Sequence, residues 1–228
     1  MHTRVDYVGH DRAPVIVVEE VWPDAGSLFE QAASRTDYGT SSLYYPGLRC
    51  AAPQEYARAI VDSLSTLIHG AFGMNGVLAI TDSVISLVTT PPENLVPFQR
   101  VPHYDSTDPS RVALLHYLCA SGGTSFYRHR GSGIETVTAA TEDDYIRQVN
   151  AEVRATGMPP AAYVDGDSAL FERIARYDAA FNRALIYRGN MLHSVNVPPG
   201  FVPDTNPRTG RLSVNTFLLA SAQPGGIQ

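Results

Sequence analysis

Residues 211–220, RLSVNTFLLA, alternate with the two-residue period of an extended strand. Arg211, Ser213, Asn215 and Phe217 fall on one face, and Leu212, Val214, Thr216 and Leu218 on the other, because successive strand side chains point to opposite sides. The second face is suited to a core. The first carries a guanidinium along an otherwise buried strand, which is costly unless something anionic meets it. A planar guanidinium fork matches a carboxylate, and Ser213 can add a second donor. The plain alternative is an edge strand whose Arg211 faces water.

Stretches of the same kind precede this one. VLAITDSVISLVTT (77–90), RVALLHYL (111–118), GTSFYRHR (123–130) and ALIYRG (184–189) are short and rich in β-branched and aromatic residues. Gly, Pro, Asn or Asp separate them, as expected of strands. VIVV (15–18) is a further β-branched run, and Gly122–Gly123 reads as a tight turn joining two antiparallel strands. Helical signals lie around these runs. WPDAGSLFEQAAS (22–34) starts at Pro23–Asp24, and in PQEYARAIVDSLSTLIHGAFG (53–73) Leu64, Leu67, Ile68, Ala71 and Phe72 share one face before Gly73. Thr141 and Asp144 make a capping-box-like start for a helix with an apolar stripe of Tyr145, Val149 and Val153. SALFERIARYDAAF (168–181) reads as a second short helix, and SRTDYGTSSLYYPGLRCAAP (34–53) as a loop covering something.

This order lacks the regular βαβ alternation of a doubly wound fold. It predicts a mainly β protein with flanking helices, a β-sandwich or distorted barrel. A helical part at about 20–75 would buttress a β core at about 77–220, with a helical insertion at about 141–176, all in one domain spanning 1–228.

The composition bounds the function. A net charge of −6 and the lack of any dense basic run argue against nucleic-acid and polybasic membrane-surface partners. No apolar run approaches the ~20 residues that span a bilayer, and MHTRVDYVGHDRAP (1–14) lacks a signal pattern. A cytoplasmic protein acting on a small molecule is the expectation; no signal of oligomeric state is present. Cys50 and Cys119 fit no zinc or thioredoxin spacing and read as buried thiols rather than a disulfide.

PHYD (102–105) places His103 and Asp105 two apart, so both project from one face of an extended segment. Among seven histidines such a pair arises easily by chance. His193, in the β-like GNMLHSVNVPP (189–199), is a reasonable third ligand. Two imidazoles and one carboxylate form the facial triad of non-haem Fe(II) oxygenases. The plain alternative is two separately satisfied histidines.

The ordered set H-x-D, RVALLHYL, GGTSFY (122–127), His193 and R-x-S (Arg211, Ser213) resembles the Fe(II)/2-oxoglutarate-dependent oxygenases, most closely the prolyl-hydroxylase type and a little-characterised bacterial branch of that superfamily. The resemblance covers roughly residues 97–220. It implies a double-stranded β-helix (jelly-roll, cupin-like) with Fe(II) on His103, Asp105 and His193. It also implies 2-oxoglutarate bound through Arg211, Ser213 and the Tyr117 hydroxyl, and O₂ as the oxidant. Asp105 then favours hydroxylation over halogenation, since halogenating relatives carry a small residue there. Arg211 comes eighteen residues after His193, later than is usual in the family; PPGFVPDTNPRTG (198–210) absorbs the excess as a lengthened hairpin. Arg208, in the turn NPRTG, is the rival anion partner.

Asn215 and Phe217 share the face of Arg211 and are candidates to touch substrate, with core packing the alternative for Phe217. Arg128, followed by His129 and Arg130, suits an acidic or amide-bearing substrate or else a solvated strand end. Tyr44 and Tyr45 suit a lid or a structural loop. His116 faces away from Tyr117 and would be a ligand only in a shifted register. Rival classes are a hydroxylase of peptide- or protein-bound residues, a cupin-like metalloenzyme not using 2-oxoglutarate, and a non-catalytic binding protein.

Overall fold

The structure, a computed structural model, describes residues 1–40, 44–197 and 200–221. The strands are β1 (His2–Val8), β2 (Ala13–Glu19), β3 (Gly47–Ala51), β4 (Leu78–Val88), β5 (Arg111–Tyr117), β6 (Gly123–His129), β7 (Phe171–Asp178), β8 (Arg183–Arg188), β9 (His193–Asn196) and β10 (Arg211–Ala220). The helices are α1 (Ala25–Ala33), α2 (Gln54–Phe72) and α3 (Glu142–Thr156). Seven strands form one antiparallel sheet in the order β1-β2-β8-β5-β10-β4-β3, and β7-β6-β9 form a smaller one. An isolated bridge from His103 to His193 continues the smaller sheet by one pair. From β4 onward the chain passes repeatedly between the two sheets, and this is the double-stranded β-helix.

Strand β10 sits between β4 and β5 with Ser213 opposite Ser86 on one side and Tyr117 on the other. Its Leu212, Val214 and Leu218 join a core shared with Ile60, Leu64 and Ile68 of α2. Full burial of each such side chain contributes roughly 1.5–3 kcal/mol. Helix α2 runs as its apolar spacing predicts and stops at Gly73, whose φ of 61° is left-handed and whose N–H donates to the His69 carbonyl. Helix α1 starts where Asp24 accepts a hydrogen bond from the Ser27 N–H. The other face of the large sheet meets the small sheet across Val15, Val17, Tyr117, Phe126, Leu185 and Tyr187. No described helix is long and apolar enough to cross a membrane. Cys50 and Cys119 are both free thiols.

Four expectations from the sequence are corrected. The segment expected as a second short helix within 168–181 is instead β7, paired along its length with β6. Its Ala, Glu and Arg favour helix locally, but the pairing of Phe171 and Tyr177 beside β6 prevails. The helical insertion therefore ends at Thr156 rather than near 176. The tract 34–53 is not all loop, because Gly47–Ala51 pairs with β4. Gly122–Gly123 does not close a hairpin. Strand β5 lies in the large sheet and β6 in the small one, so the glycines turn a corner between sheets. A Cβ there would lie 2.4 Å from the Asn196 carbonyl oxygen or 2.0 Å from that of Tyr177. The capping box at Thr141 is also not formed: its hydroxyl bonds to Thr138 instead.

His116 faces α2, where its Nδ1 meets the Tyr56 hydroxyl at 2.7 Å and its Nε2 the Asn182 side-chain oxygen at 3.1 Å. Burial lowers its pKa from 6.5 to about 4, with the Asn182 bond opposing. The unfolded chain therefore binds a proton that the folded chain refuses, so this group's contribution is intact above pH 6.5 and is lost as pH falls towards 4. We expect denaturant unfolding of the wild type to lose about 2 kcal/mol between pH 6.5 and 5 from this group. His116→Gln should flatten that part of the profile; an unchanged slope would refute the assignment.

Candidate metal centre and its flanking arginines

His103 and His193 face each other as a hydrogen-bonded antiparallel pair: each backbone N–H donates to the other's carbonyl at 2.8 Å. This pairing puts both imidazoles on one face, with ring centroids 4.3 Å apart. Asp105 lies two residues on, so it returns to the same face. Its N–H donates to the Gly189 carbonyl at 2.7 Å, which ties PHYD to the end of β8. One donor atom from each of His103, Asp105 and His193 lies within 4.8 Å of the others. The His103 and His193 Nε2 atoms stand 3.8 and 3.7 Å from the Asp105 oxygens, too far for hydrogen bonds.

These donors suit a cation. His193 Nδ1 donates to the Met191 carbonyl at 2.8 Å, which fixes the tautomer and leaves the Nε2 lone pair facing the cluster. The rings of Tyr187 and Phe126 pack against His193 and hold its plane. The His103 ring keeps half of its surface open to the cleft. Loss of hydration on its covered side, with His193 beside it and the Arg49 charge nearby, disfavours its protonation and lowers its pKa, so it is a neutral donor. Burial raises the Asp105 pKa despite the pull of His193, Arg49 and Arg111. Among the described residues its carboxylate accepts no hydrogen bond, an unfavourable state that a metal ion would relieve.

Arg211 has the complementary defect. It is 4% exposed, its Nε has no hydrogen-bond partner, and no described carboxylate pairs with it. One Nη donates to the Gly123 carbonyl at 2.7 Å, and the guanidinium lies 5.7 Å from the Tyr117 ring centroid. Gly123 pairs with Asn196, three residues along β9 from His193. At ~3.3 Å per residue, Arg211 sits about 10 Å along the strand from the His103–Asp105–His193 cluster. The inner face of the barrel thus presents an uncompensated anion at one end and a buried, uncompensated cation at the other.

The remaining sequence candidates divide. Ser213 and Asn215 lie on the face of Arg211, with the Ser213 hydroxyl donating to the Asn215 side-chain oxygen at 2.8 Å. Phe217 packs against the inner core. Tyr117 contributes its ring; its hydroxyl meets Thr124 at 2.7 Å. Arg128 is not brought to the cluster as a free cation, because Glu135 and Glu172 hold its guanidinium. Tyr44 is exposed and its ring lies tilted against Phe98, 5.0 Å between centroids. Arg208 forms a two-bond pair with Glu30 at 2.9 and 2.8 Å, away from any buried face.

Two residues were not singled out for these places. Arg49 of β3 donates through Nε to Ser86 at 3.1 Å and lies 4.0 Å over the Tyr45 ring. The Tyr45 hydroxyl is buried without a full hydrogen bond, near Ser86 and the charges of Arg211 and Arg49. The alternation of GLRCA would have given Arg49 a face, had its tract not been read as loop. A cavity of about 310 Å³ lined by Pro102, Tyr163 and Phe171 begins one residue before His103. Phe171 and Val101 there belong to the core under α3, on the outer side of the small sheet.

A model of a family of unknown function, DUF6445, matches residues 1–218. No curated protein is similar enough to match. Among solved structures, the chain is similar to the non-haem α-ketoglutarate-dependent carbocyclase SnoK of nogalamycin biosynthesis, with 11% identity over 95% of this chain and 86% of that one and a TM-score of 0.53. The epimerase SnoN of the same biosynthesis gives 12%, 96%, 88% and 0.52. HygX from Streptomyces hygroscopicus with iron bound gives 13%, 92%, 84% and 0.55. At such identities the likeness is one of fold, the double-stranded β-helix.

Proposed function

This chain belongs to DUF6445, a family of unknown function, and we propose that it is a non-haem Fe(II)- and 2-oxoglutarate-dependent oxygenase that hydroxylates a C–H bond of a small molecule. The observation that carries this reading is the two-ended site. Three converging donors lack a cation, and a buried guanidinium about 10 Å away lacks an anion. A keto-dicarboxylate meets both needs with one molecule: its keto-acid end belongs with a metal and its distal carboxylate with Arg211. The carbocyclase and epimerase above are α-ketoglutarate-dependent, and HygX has been crystallised with nickel and 2-oxoglutarate, which supports the same pairing.

In this reading His103, Asp105 and His193 hold Fe(II), the facial triad expected for this chemistry. When bound, Fe(II) with 2-oxoglutarate and O₂ would supply C–H oxidation coupled to release of succinate and CO₂. The chain's residues supply placement. Met191 keeps the proton on His193 Nδ1, and Phe126 and Tyr187 hold the ring. Arg211 fixes the distal carboxylate by a charge-assisted bond. Tyr117 supplies an aromatic face beneath the guanidinium, and the Tyr45 hydroxyl is available as a further donor. Asp105 supplies the anionic oxygen ligand, and its size is part of the case for hydroxylation.

We expect anaerobic Fe(II) and 2-oxoglutarate to give a weak visible metal-to-ligand absorption in the wild type and none in His103→Ala. Lack of that band in the wild type, together with no succinate formed with any amino acid or peptidyl substrate, would remove the reading. The same succinate screen separates a small-molecule hydroxylase from one acting on peptides.

A further inference from the structure

We propose that Arg49 is the substrate-recognition residue of this site and that the substrate carries a carboxylate which Arg49 binds. The proposal rests on the oxygenase reading and names its substrate class. Arg49 lies on β3, the edge strand of the large sheet, at a position facing Ser86 and one strand further from Ser213. It therefore shares the inner face with Arg211 but stands at the sheet's rim, half-buried rather than enclosed. Its guanidinium is held in place without being neutralised. Nε is on Ser86, Tyr45 lies beneath the plane, and no carboxylate pairs with it among the described residues. Both Nη groups are left to donate. Its register puts it in the row of Ser213, two residues from Arg211, while its charge is felt at His103 and Asp105, so the guanidinium lies between the two ends of the cleft.

Charge balance says what Arg49 awaits. A ferrous ion, the Asp105 carboxylate, 2-oxoglutarate as a dianion and Arg211 together carry no net charge. Arg49 then leaves one positive charge at the rim; the exposed Asp82 is felt there but does not pair with it, and burial still lowers its pKa. A buried or half-buried cation calls for a partner. One carboxylate balances it, whereas a phosphate dianion overshoots. The planar fork left open by Ser86 and Tyr45 suits the two oxygens of a carboxylate. The Tyr44–Phe98 ring pair adjoins this rim in sequence, next to Tyr45 and five residues before His103, and offers an apolar surface for the body of such a molecule.

The test uses the Zn(II)- and 2-oxoglutarate-loaded protein, with 3-phenylpropionate and its neutral amide as matched probes. We expect the acid to bind about tenfold or more tighter than the amide, the scale of a charge-assisted pair, and to shift the arginine Nε–H resonance that disappears in Arg49→Gln. That variant should bind acid and amide alike yet keep the Fe(II)–2-oxoglutarate absorption and the wild-type melting temperature. Arg49→Lys, which keeps the charge, should retain part of the preference. Equal binding of the two probes by the wild type, or no binding of the acid, overturns the proposal. So does loss of the absorption band in both Arg49 variants, which would assign Arg49 to 2-oxoglutarate. A wild type that prefers the acid but forms neither the band nor succinate would keep the anion site and remove the oxygenase reading.

Discussion

Arg211→Ala is expected to raise the 2-oxoglutarate concentration needed for half-maximal absorption by about ten- to a hundredfold, while Arg208→Ala leaves it unchanged. The two arginines are three residues apart and differ in surroundings. Arg208 is half-exposed and already has Glu30, so its removal frees an exposed carboxylate and costs the site nothing. Arg211 is buried against Tyr117 and Gly123, with Nε unmatched. Losing one charged hydrogen bond costs about 1.5–3 kcal/mol, which sets the expected range. Arg211→Lys should recover only part, because an ammonium supplies charge without the planar fork. A titration in which Arg208→Ala is the damaging variant would transfer the anchoring role to the turn.

The parts of the fold that sequence made legible are those with a strong period and both faces defined. Strand β10 was readable because Leu212, Val214 and Leu218 are buried against α2 while Arg211, Ser213 and Asn215 turn inward. Helix α2 was readable from its apolar face and from Gly73. The misread parts are those where a partner decides. Strand β7 has the composition of a helix and is extended because β6 runs beside it. Strand β3 is five residues long in a tract rich in turn formers, so nothing local marks it, and Arg49 went with it. The same division applies to the site. His103 and Asp105 are bound by a two-residue spacing, but their link to His193 is a backbone pair ninety residues long in sequence, visible only once the bridge is drawn. The corner at Gly122–Gly123 shows the limit most plainly: two glycines announce a turn, and only the topology says that it changes sheets.

Asp105→Asn is expected to reverse its effect on stability according to whether metal is present. A carboxyl whose folded pKa lies above 3.8 costs the fold stability progressively as pH rises from 3.8 to that raised value, and the full cost persists above it, because folding opposes ionisation. Asp105 is such a group: a carboxylate still 26% exposed but desolvated in the cleft, beyond hydrogen-bonding distance of both histidines, and without a hydrogen-bond partner among the described residues. Removing its charge should therefore raise the melting temperature of the metal-free protein at pH 7. Metal inverts the order, since Asp105 is the one anionic donor of the cluster. At a hundred times its dissociation constant, a ligand specific to the folded state adds about 2.7 kcal/mol, several degrees for a chain of this size. The wild type should gain that increment with Fe(II) or Zn(II), and Asp105→Asn little of it, so the two melting curves exchange places on addition of metal. A variant less stable than the wild type without metal would mean that the Asp105 carboxylate is already compensated within the protein. A variant gaining as much as the wild type would mean that the two imidazoles suffice. Either outcome would remove the physical reason for regarding this aspartate as a metal ligand.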